Sequence, residues 1–213
     1  MKPRPKMISM KRPLGLYLAY LFQSLIAVNV LIALSLGEYS QVFTGAIGLG
    51  LTLVPTIVTR RLSITLPWQV NLLIAISLYL HIAGEIRGFY MLYYPYYDKV
   101  AHFVSGMTVS VLAFVAVLLL DRFSRLNLSR WMIVGFIVIA AMATGAFWEI
   151  YEWVFDTFLG TDLQHGLDDT MLDMIFVLIG AVIVAIAGGH YLSRSSKEEI
   201  TEKLVAPEES QTD

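Results

Sequence analysis

The sequence predicts an all-α fold: a polytopic membrane protein built as a six-transmembrane-helix bundle. Three observations predict it: the composition is strongly apolar, long apolar segments recur along the chain, and the basic residues are segregated among the connections. Hydrophobic residues make up 57% of the 213 residues and charged residues 15%, and the mean hydropathy is +0.67. This composition excludes an ordinary soluble domain and is typical of a membrane protein.

A membrane span needs about 20 predominantly apolar residues. Leu14 to Leu36 is uncharged and too long for the apolar region of a secretory signal, so we expect it to be a retained first span. Pro55 lies inside the second apolar segment and predicts a kink there. The six predicted spans are Leu14 to Leu36, Gln41 to Thr59, Leu66 to Gly84, Asp98 to Leu120, Trp131 to Val154 and Asp169 to Gly189.

The basic residues predict the orientation of these spans. Thirteen of the 15 Lys and Arg residues fall at the N-terminus, in the second and fourth connections or in the C-terminal tail, which leaves only Arg87 and Lys99 on the other side. The positive-inside rule therefore places both termini in the cytoplasm. The predicted organisation is a basic cytoplasmic N-terminus (1–13), a six-span membrane domain (14–190) and a polar, disordered cytoplasmic tail (191–213).

Acidic residues are concentrated on the predicted outer side. Ten of the 17 Asp and Glu residues lie there against two basic residues, so this face attracts cations. Four of them, Asp98, Asp156, Asp162 and Asp168, are most simply expected to be solvated helix ends and loop residues. The ten acidic residues are Glu38, Glu85, Asp98, Glu149, Glu152, Asp156, Asp162, Asp168, Asp169 and Asp173.

Four spans each bring an ionisable group to one depth. At 1.5 Å per residue, Glu85, His102, Glu149 and Asp173 lie about 25 to 29 Å from the inner boundary of a hydrocarbon core about 30 Å thick. Residues four apart also share a helix face. Such pairs occur at His81 and Glu85, at Asp98 and His102, and at Asp169 and Asp173, while Glu149, Glu152 and Asp156 lie together on one face.

This coincidence predicts a shared outward-facing site, because ionisable groups within a membrane are usually paired and functional. The predicted catalytic residues are Asp98, His102, Glu149, Glu152, Asp169 and Asp173, and the predicted metal ligands are His102, Glu149 and Asp173. Two connections frame the site. Residues 89–97 are rich in tyrosine and form an interfacial aromatic belt, a lid or a surface for lipid. Residues 160–166 form either a cover or an ordinary turn.

Imidazole and carboxylate ligands suit a divalent metal such as zinc or manganese, although the HExxH motif of zinc proteases is absent. Asp98, His102 and Ser105 also share a helix face. A serine-hydrolase triad on one helix has difficulty adopting the required geometry. Carboxylates and histidine can instead relay protons or bind cations in a transporter.

Three ordered segments carry a family resemblance: Tyr97 to Phe103 (YDKVAHF), Glu149 to Trp153 (EIYEW) with Phe158 to Thr161 (FLGT), and Asp169 to Met174 (DTMLDM). They resemble the YjdF-like family of bacterial and archaeal inner-membrane proteins, and more loosely VanZ-like proteins. The resemblance implies a multi-span protein of the prokaryotic plasma membrane. Its motif residues are Asp98, His102, Glu149, Glu152, Asp169 and Asp173, and it implies no activity.

The sequence therefore favours a metal-dependent membrane enzyme that acts on a lipid-linked or envelope substrate. A cation- or proton-coupled transporter and a structural or assembly protein remain alternatives. Few polar residues continue toward the inner side, which favours the enzyme over the transporter. Membrane lipids are the expected partners and nucleic acid is not one, whereas the substrate and the oligomeric state are left open.

Overall fold

The computed structural model describes residues 14–62, 64–161 and 163–205. These residues form nine α-helices and no β-strand, which confirms the predicted all-α class. The predicted N-terminal segment, 1–13, lies outside the described residues. The helices are α1 (Leu14–Leu36), α2 (Tyr39–Leu51), α3 (Val54–Leu62), α4 (Trp68–Ile86), α5 (Phe89–Leu92), α6 (Tyr96–Ser124), α7 (Arg130–Leu159), α8 (Leu167–Arg194) and α9 (Lys197–Val205).

Six helical stretches are long and apolar enough to cross a membrane: α1, α2 together with α3, α4, α6, α7 and α8. The predicted six-span bundle is therefore confirmed. Helices α6, α7 and α8 continue up to five residues beyond the predicted spans. The apolar pattern marks only the part of a helix in hydrocarbon, whereas the backbone hydrogen bonds continue into the interfacial region.

The second span is broken where the proline predicted a kink. Pro55 has no N–H group to continue the helix, so α2 ends at Leu51 and α3 begins at Val54. The Thr52 hydroxyl donates to the Leu49 carbonyl (2.6 Å). The Thr52 carbonyl accepts a hydrogen bond from Gln23 Nε2 of α1 (3.3 Å). A neighbouring helix thus satisfies a backbone group at the break, as apolar surroundings require.

The spans pack as two groups of three. Helix α1 contacts both α2 and α4, which also contact each other, while α6, α7 and α8 all contact one another. The contact between α4 and α6 joins the two groups. The connections alternate between two ends of this bundle. We call the end with Arg60, Arg61 and α9 the basic end, and the end with α5 and the 160–166 connection the acidic end.

Two glycines allow α6 and α8 to touch backbone to backbone. A Cβ atom on Gly106 of α6 would lie 2.6 Å from the Val177 carbonyl oxygen of α8. A Cβ atom on Gly180 of α8 would lie 2.6 Å from the Phe103 carbonyl oxygen of α6. Small residues permit this close approach within a membrane. The crossing lies about one to two turns from His102 on α6 and Asp173 on α8, so it fixes their separation.

The predicted disorder of the tail is wrong for its first part. Residues 191–194 continue α8, and α9 follows after two residues, while residues 206–213 lie outside the described residues. Ile200 of α9 is buried against apolar residues of α6, α7 and α8. The Leu204 carbonyl accepts a hydrogen bond from the Thr65 backbone N–H (2.7 Å).

A buried carboxylate anchors this short helix. Asp121 of α6 is buried and pairs with Lys197 Nζ at 2.5 Å. Its other oxygen accepts the Leu128 N–H (2.8 Å), and Lys197 also donates to the Leu128 carbonyl (2.9 Å). Because a buried charge needs a partner, Asp121 binds the start of α9 to the α6–α7 connection. The tail is ordered by this pair and by its apolar face.

Candidate functional site

The candidate site lies at the acidic end, where α4, α6, α7 and α8 meet. At its centre is the Lys99 ammonium, which is 5% exposed. Lys99 Nζ donates to Asp169 Oδ1 at 2.5 Å, Asp173 Oδ1 at 2.8 Å and Asp98 Oδ2 at 3.0 Å. The two partners on α8 are four residues apart and therefore share one helix face. One lysine thus joins the start of α6 to the start of α8 through three carboxylates.

His102 lies beside this ion-pair cluster and is 4% exposed. Its Nε2 atom is 3.4 Å from Asp98 Oδ1 and 3.8 Å from Asp173 Oδ1. Ligand atoms of these three side chains all lie within 4.8 Å of one another. Both separations exceed the distance of about 2.7 to 3.2 Å typical of N–H···O hydrogen bonds. The three groups therefore face one another around a shared point.

Two glutamates of α7 complete the polar region. Glu149 is 6% exposed, and neither of its carboxylate oxygens has a hydrogen-bond partner among the described residues. It lies close enough to His102 and Asp98 for their charges to act on it. Glu152, one turn further along, accepts a hydrogen bond from Trp148 Nε1 (2.8 Å). A buried carboxylate without a partner is costly, so Glu149 marks a place for a proton or a cation.

The connection before α8 approaches the same cluster. Asp156 accepts hydrogen bonds from the Thr161 hydroxyl (2.7 Å) and from the backbone N–H groups of Leu163 (2.8 Å) and Gln164 (2.7 Å). These bonds shape the connection, which gives Asp156 a structural role. His165 Nδ1 then lies 3.6 Å from Asp169 Oδ2. Because His165 and Asp169 are only four residues apart, this contact fits both predictions for the connection, the cover and the ordinary turn. Asp162 lies outside the described residues.

A second hydrogen-bonded group lies next to the first. His81 of α4 contacts Tyr90 Oη through Nδ1 (2.7 Å) and Ser105 Oγ through Nε2 (2.8 Å). Ser105 Oγ is also 2.9 Å from Ser77 Oγ. The His81 and His102 rings meet edge to face, with centroids 5.8 Å apart. Two histidine-centred groups therefore form one continuous polar region.

The structure brings together most of the residues that the sequence singled out. Asp98, His102, Asp169 and Asp173 converge around Lys99, and Glu149 lies beside them. Glu85, predicted at the same depth, is exposed instead. The predicted metal ligands were His102, Glu149 and Asp173. The three side chains whose ligand atoms lie close together are instead Asp98, His102 and Asp173. The metal itself and the catalytic roles stay predictions.

Sequence reasoning missed Lys99 and the partner of Ser105. Lys99 counted only as one of two basic residues on the acidic side, although a lone lysine among carboxylates at the start of a span needs such partners. Ser105 was placed on the helix face of His102, but its hydroxyl contacts His81 of another helix. The tyrosine-rich connection contributes Tyr90 to the site, while Tyr93, Tyr94 and Tyr96 are exposed.

The fold and the site define an α-helical integral membrane protein with a buried histidine and carboxylate cluster at one end. The chain belongs to the family described as "Predicted membrane protein (DUF2238)", which matches residues 17–194. This match includes the six spans, apart from the first three residues of α1, and every residue of the candidate site.

One relative is an uncharacterized protein of Thermotoga maritima. It is 32% identical over 126 residues, which cover 56% of this chain and 62% of the relative. The matched part thus spans less than two thirds of the relative's length. No solved structure matches the chain.

Proposed function

We propose that this protein is a metal-dependent membrane enzyme whose acidic-end site holds a divalent cation and acts on a lipid-linked or envelope substrate. The observation that carries the proposal is the arrangement of Asp98, His102 and Asp173, whose ligand atoms face one another. Tetrahedral ligands with metal bonds of about 2.0 to 2.2 Å lie about 3.3 to 3.6 Å apart. The separations of 3.4 and 3.8 Å at His102 Nε2 are close to this range.

The charge balance also supports a divalent cation. Three aspartates surround one lysine, which leaves two negative charges when all four groups are ionised. One imidazole with two carboxylates is a ligand set that zinc and manganese both accept. Lys99 already holds Asp173 Oδ1, so a cation would share that oxygen with the ammonium or displace it. If the site holds a cation, Glu149, buried beside the cluster, would be the residue that accepts a proton there.

The position of the site supports a substrate that reaches it from the membrane or the envelope. Asp98 and Asp169 lie in the first turns of α6 and α8, and the site is therefore close to one membrane surface. Few polar residues of the spans continue from the site toward the basic end. We infer a site that is closed toward that end, as an enzyme or a binding protein requires.

The test is thermal unfolding of the purified protein in detergent, first with a chelator and then with added zinc, manganese, magnesium or calcium. A cation that binds only the folded protein at 100 times its dissociation constant adds about 2.7 kcal/mol of stability. We expect zinc or manganese to raise the melting temperature. The rise should disappear in His102→Ala and diminish in Glu149→Gln. His190→Ala changes an exposed histidine near the basic end of α8; it is the control and should respond as the native chain does.

The metal proposal fails if no cation raises the melting temperature of the native protein, or if His102→Ala responds as strongly as the native chain. In that event the second candidate, proton- or cation-coupled transport, gains support, because a buried carboxylate without a partner is typical of proton-carrying sites. Proton uptake by reconstituted vesicles that is lost in Glu149→Gln would then establish it.

We also propose that the protein is a multi-pass protein of the prokaryotic plasma membrane, with both termini in the cytoplasm and the acidic end outside. The segregation of Lys and Arg supports this orientation. A reporter fused after Asp213 should be cytoplasmic, and a tag inserted in the 160–166 connection should be accessible from outside. External labelling of the C-terminal fusion would contradict the orientation. The family match supports the YjdF-like resemblance, and the looser VanZ-like resemblance stays a prediction.

A further inference from the structure

The hydrogen-bonded group around His81 has no part in the proposed metal site. It contains the ring of His81, the Ser105 hydroxyl, the Tyr90 phenol and the Ser77 hydroxyl, which three different helices supply. The contacts at the two imidazole nitrogens are 2.7 and 2.8 Å long. The Ser105 hydroxyl, the His81 base and the orienting Tyr90 phenol are thus hydrogen-bonded in sequence. This is the arrangement that activates a hydroxyl nucleophile.

The positions of the protons in the hydrogen-bonded group around His81 follow from the donors available. A neutral imidazole has one donor and one acceptor nitrogen. When Nδ1 carries the hydrogen, it donates to Tyr90 Oη, and Nε2 accepts the proton of Ser105. Burial is the largest cause that raises the pKa of the Tyr90 phenol well above its ordinary value, and the charge of Asp98 is the next. Tyr90 therefore stays neutral and can hold the ring without competing for the proton.

The surroundings restrict the His81 ring and leave Ser105 partly exposed. The Trp148 ring lies 5.2 Å from the His81 ring, and the His102 ring lies edge-on at 5.8 Å. Ser105 is partly exposed, whereas Ser77 is buried. Two rings and one phenol thus hold the base, and the serine beside it is not fully buried.

The depth of Ser105 indicates the class of substrate. Ser105 lies 16 residues from Asp121, about 24 Å from the basic-end boundary of a core about 30 Å thick. It is therefore about 6 Å below the opposite boundary, about one helical turn from the interfacial region in which membrane lipids carry their ester bonds.

We propose that Ser105 is a nucleophile toward a carboxylic ester of a membrane lipid, with His81 as its general base and with Tyr90 and Ser77 as positioning residues. Ser105 Oγ bonds to the ester carbonyl carbon while its proton passes to His81 Nε2. The carbon–oxygen bond to the alcohol then breaks, and the alcohol leaves with that proton. Water attacks the acyl-serine and gives a proton to His81, the acid is released, and Ser105 regains its proton.

The test is covalent labelling of the full chain in detergent by a fluorophosphonate probe, followed by mass measurement of the intact protein. Ser105 Oγ would form a bond to phosphorus, fluoride would leave, and the proton would pass to His81. We expect one adduct on the native chain and none on Ser105→Ala. Removal of a general base costs about 10²- to 10⁴-fold in rate, so His81→Gln should be labelled at least about 100-fold more slowly.

Two further variants keep the result interpretable. Ser24→Ala changes an exposed serine of α1 and should be labelled at the native rate. Tyr90→Phe keeps the ring of His81 but removes its phenol partner, so it should slow labelling even if His81→Gln does not fold. A chelator should leave labelling unchanged, which separates this nucleophile from the proposed metal site.

The proposal falls if the native chain takes up no probe, if Ser105→Ala is labelled equally, or if neither the His81 nor the Tyr90 variant slows the reaction. Vesicles of phosphatidylethanolamine and phosphatidylglycerol provide the second readout. The native chain should release fatty acid from them and Ser105→Ala should not. Labelling of Ser105 without release of fatty acid would overturn the lipid-ester assignment.

Discussion

Replacing Lys99 by methionine tests whether the lysine is the central counter-charge of the acidic end. Methionine is unbranched and has a length similar to that of lysine, so the change removes the ammonium and leaves most of the packing in place. Three carboxylates at 2.5, 2.8 and 3.0 Å then lose their common partner. Asp173 and Asp169 are buried, so water cannot take over the role of the ammonium.

The magnitude follows from the burial of the group. Removing one partner of a buried ion pair costs about 3 to 5 kcal/mol, because the other charge is left uncompensated. For a protein of about 150 to 250 residues, 1 kcal/mol corresponds to about 2 to 4 °C in melting temperature. Lys99→Met should therefore lower the melting temperature by about 6 to 20 °C. The double variant Lys99→Met with Asp173→Asn should lose less stability than Lys99→Met alone, since one uncompensated charge is removed.

The assay is thermal unfolding in detergent with a chelator present. Lys203→Met is the matched control, because Lys203 pairs with Glu199 on the exposed face of α9, and exposed pairs contribute little. In Lys99→Met, zinc or manganese should restore part of the lost stability, since a bound cation replaces the missing charge. If Lys99→Met unfolds no earlier than Lys203→Met, the central role assigned to Lys99 is incorrect.

Two more predictions concern the scaffold. Gly180→Ala should lower the free energy of unfolding in detergent by about 1 to 3 kcal/mol, because its Cβ would meet the α6 backbone. Gly135→Ala is the control and should leave that free energy unchanged, because no atom lies within 4 Å of a Cβ there. Equal effects would contradict the close approach of α6 and α8. Lys197→Met should release α9, because the buried Asp121 loses its ion-pair partner. Limited proteolysis should then cut the tail faster than in Lys203→Met. An unchanged cleavage rate would show that the apolar face alone holds α9.

Some of what sequence reasoning missed was readable locally. The start of α9 carries Ser196 and Glu199, and the Glu199 N–H donates to the Ser196 hydroxyl (3.1 Å). A serine followed three residues later by a glutamate is the pattern of a helix N-terminus. Ile200 and Leu204, four apart, supply the apolar face. The high charge of the tail as a whole obscured this short amphipathic pattern.

Other errors had a geometric cause. Counting residues from a boundary gives the depth of a group, but it does not give the rotation of its helix about the axis. Glu85 and Glu149 were placed at similar depths, yet Glu85 is exposed and Glu149 is buried beside His102. Rotation is set by packing between helices, which depends on contacts among residues far apart in the chain.

The sequence by itself determined the six spans and the break at Pro55, because the length of an apolar segment and the missing N–H of a proline act locally. It also determined that carboxylates and a histidine reach one depth at one end. Only the tertiary structure decided that Lys99 lies among the three aspartates and that Ser105 contacts His81. Those pairings depend on the crossing of α6 and α8 at Gly106 and Gly180 and on the packing of α4 against α6. The sequence periodicity of a single helix does not determine how that helix packs against another one.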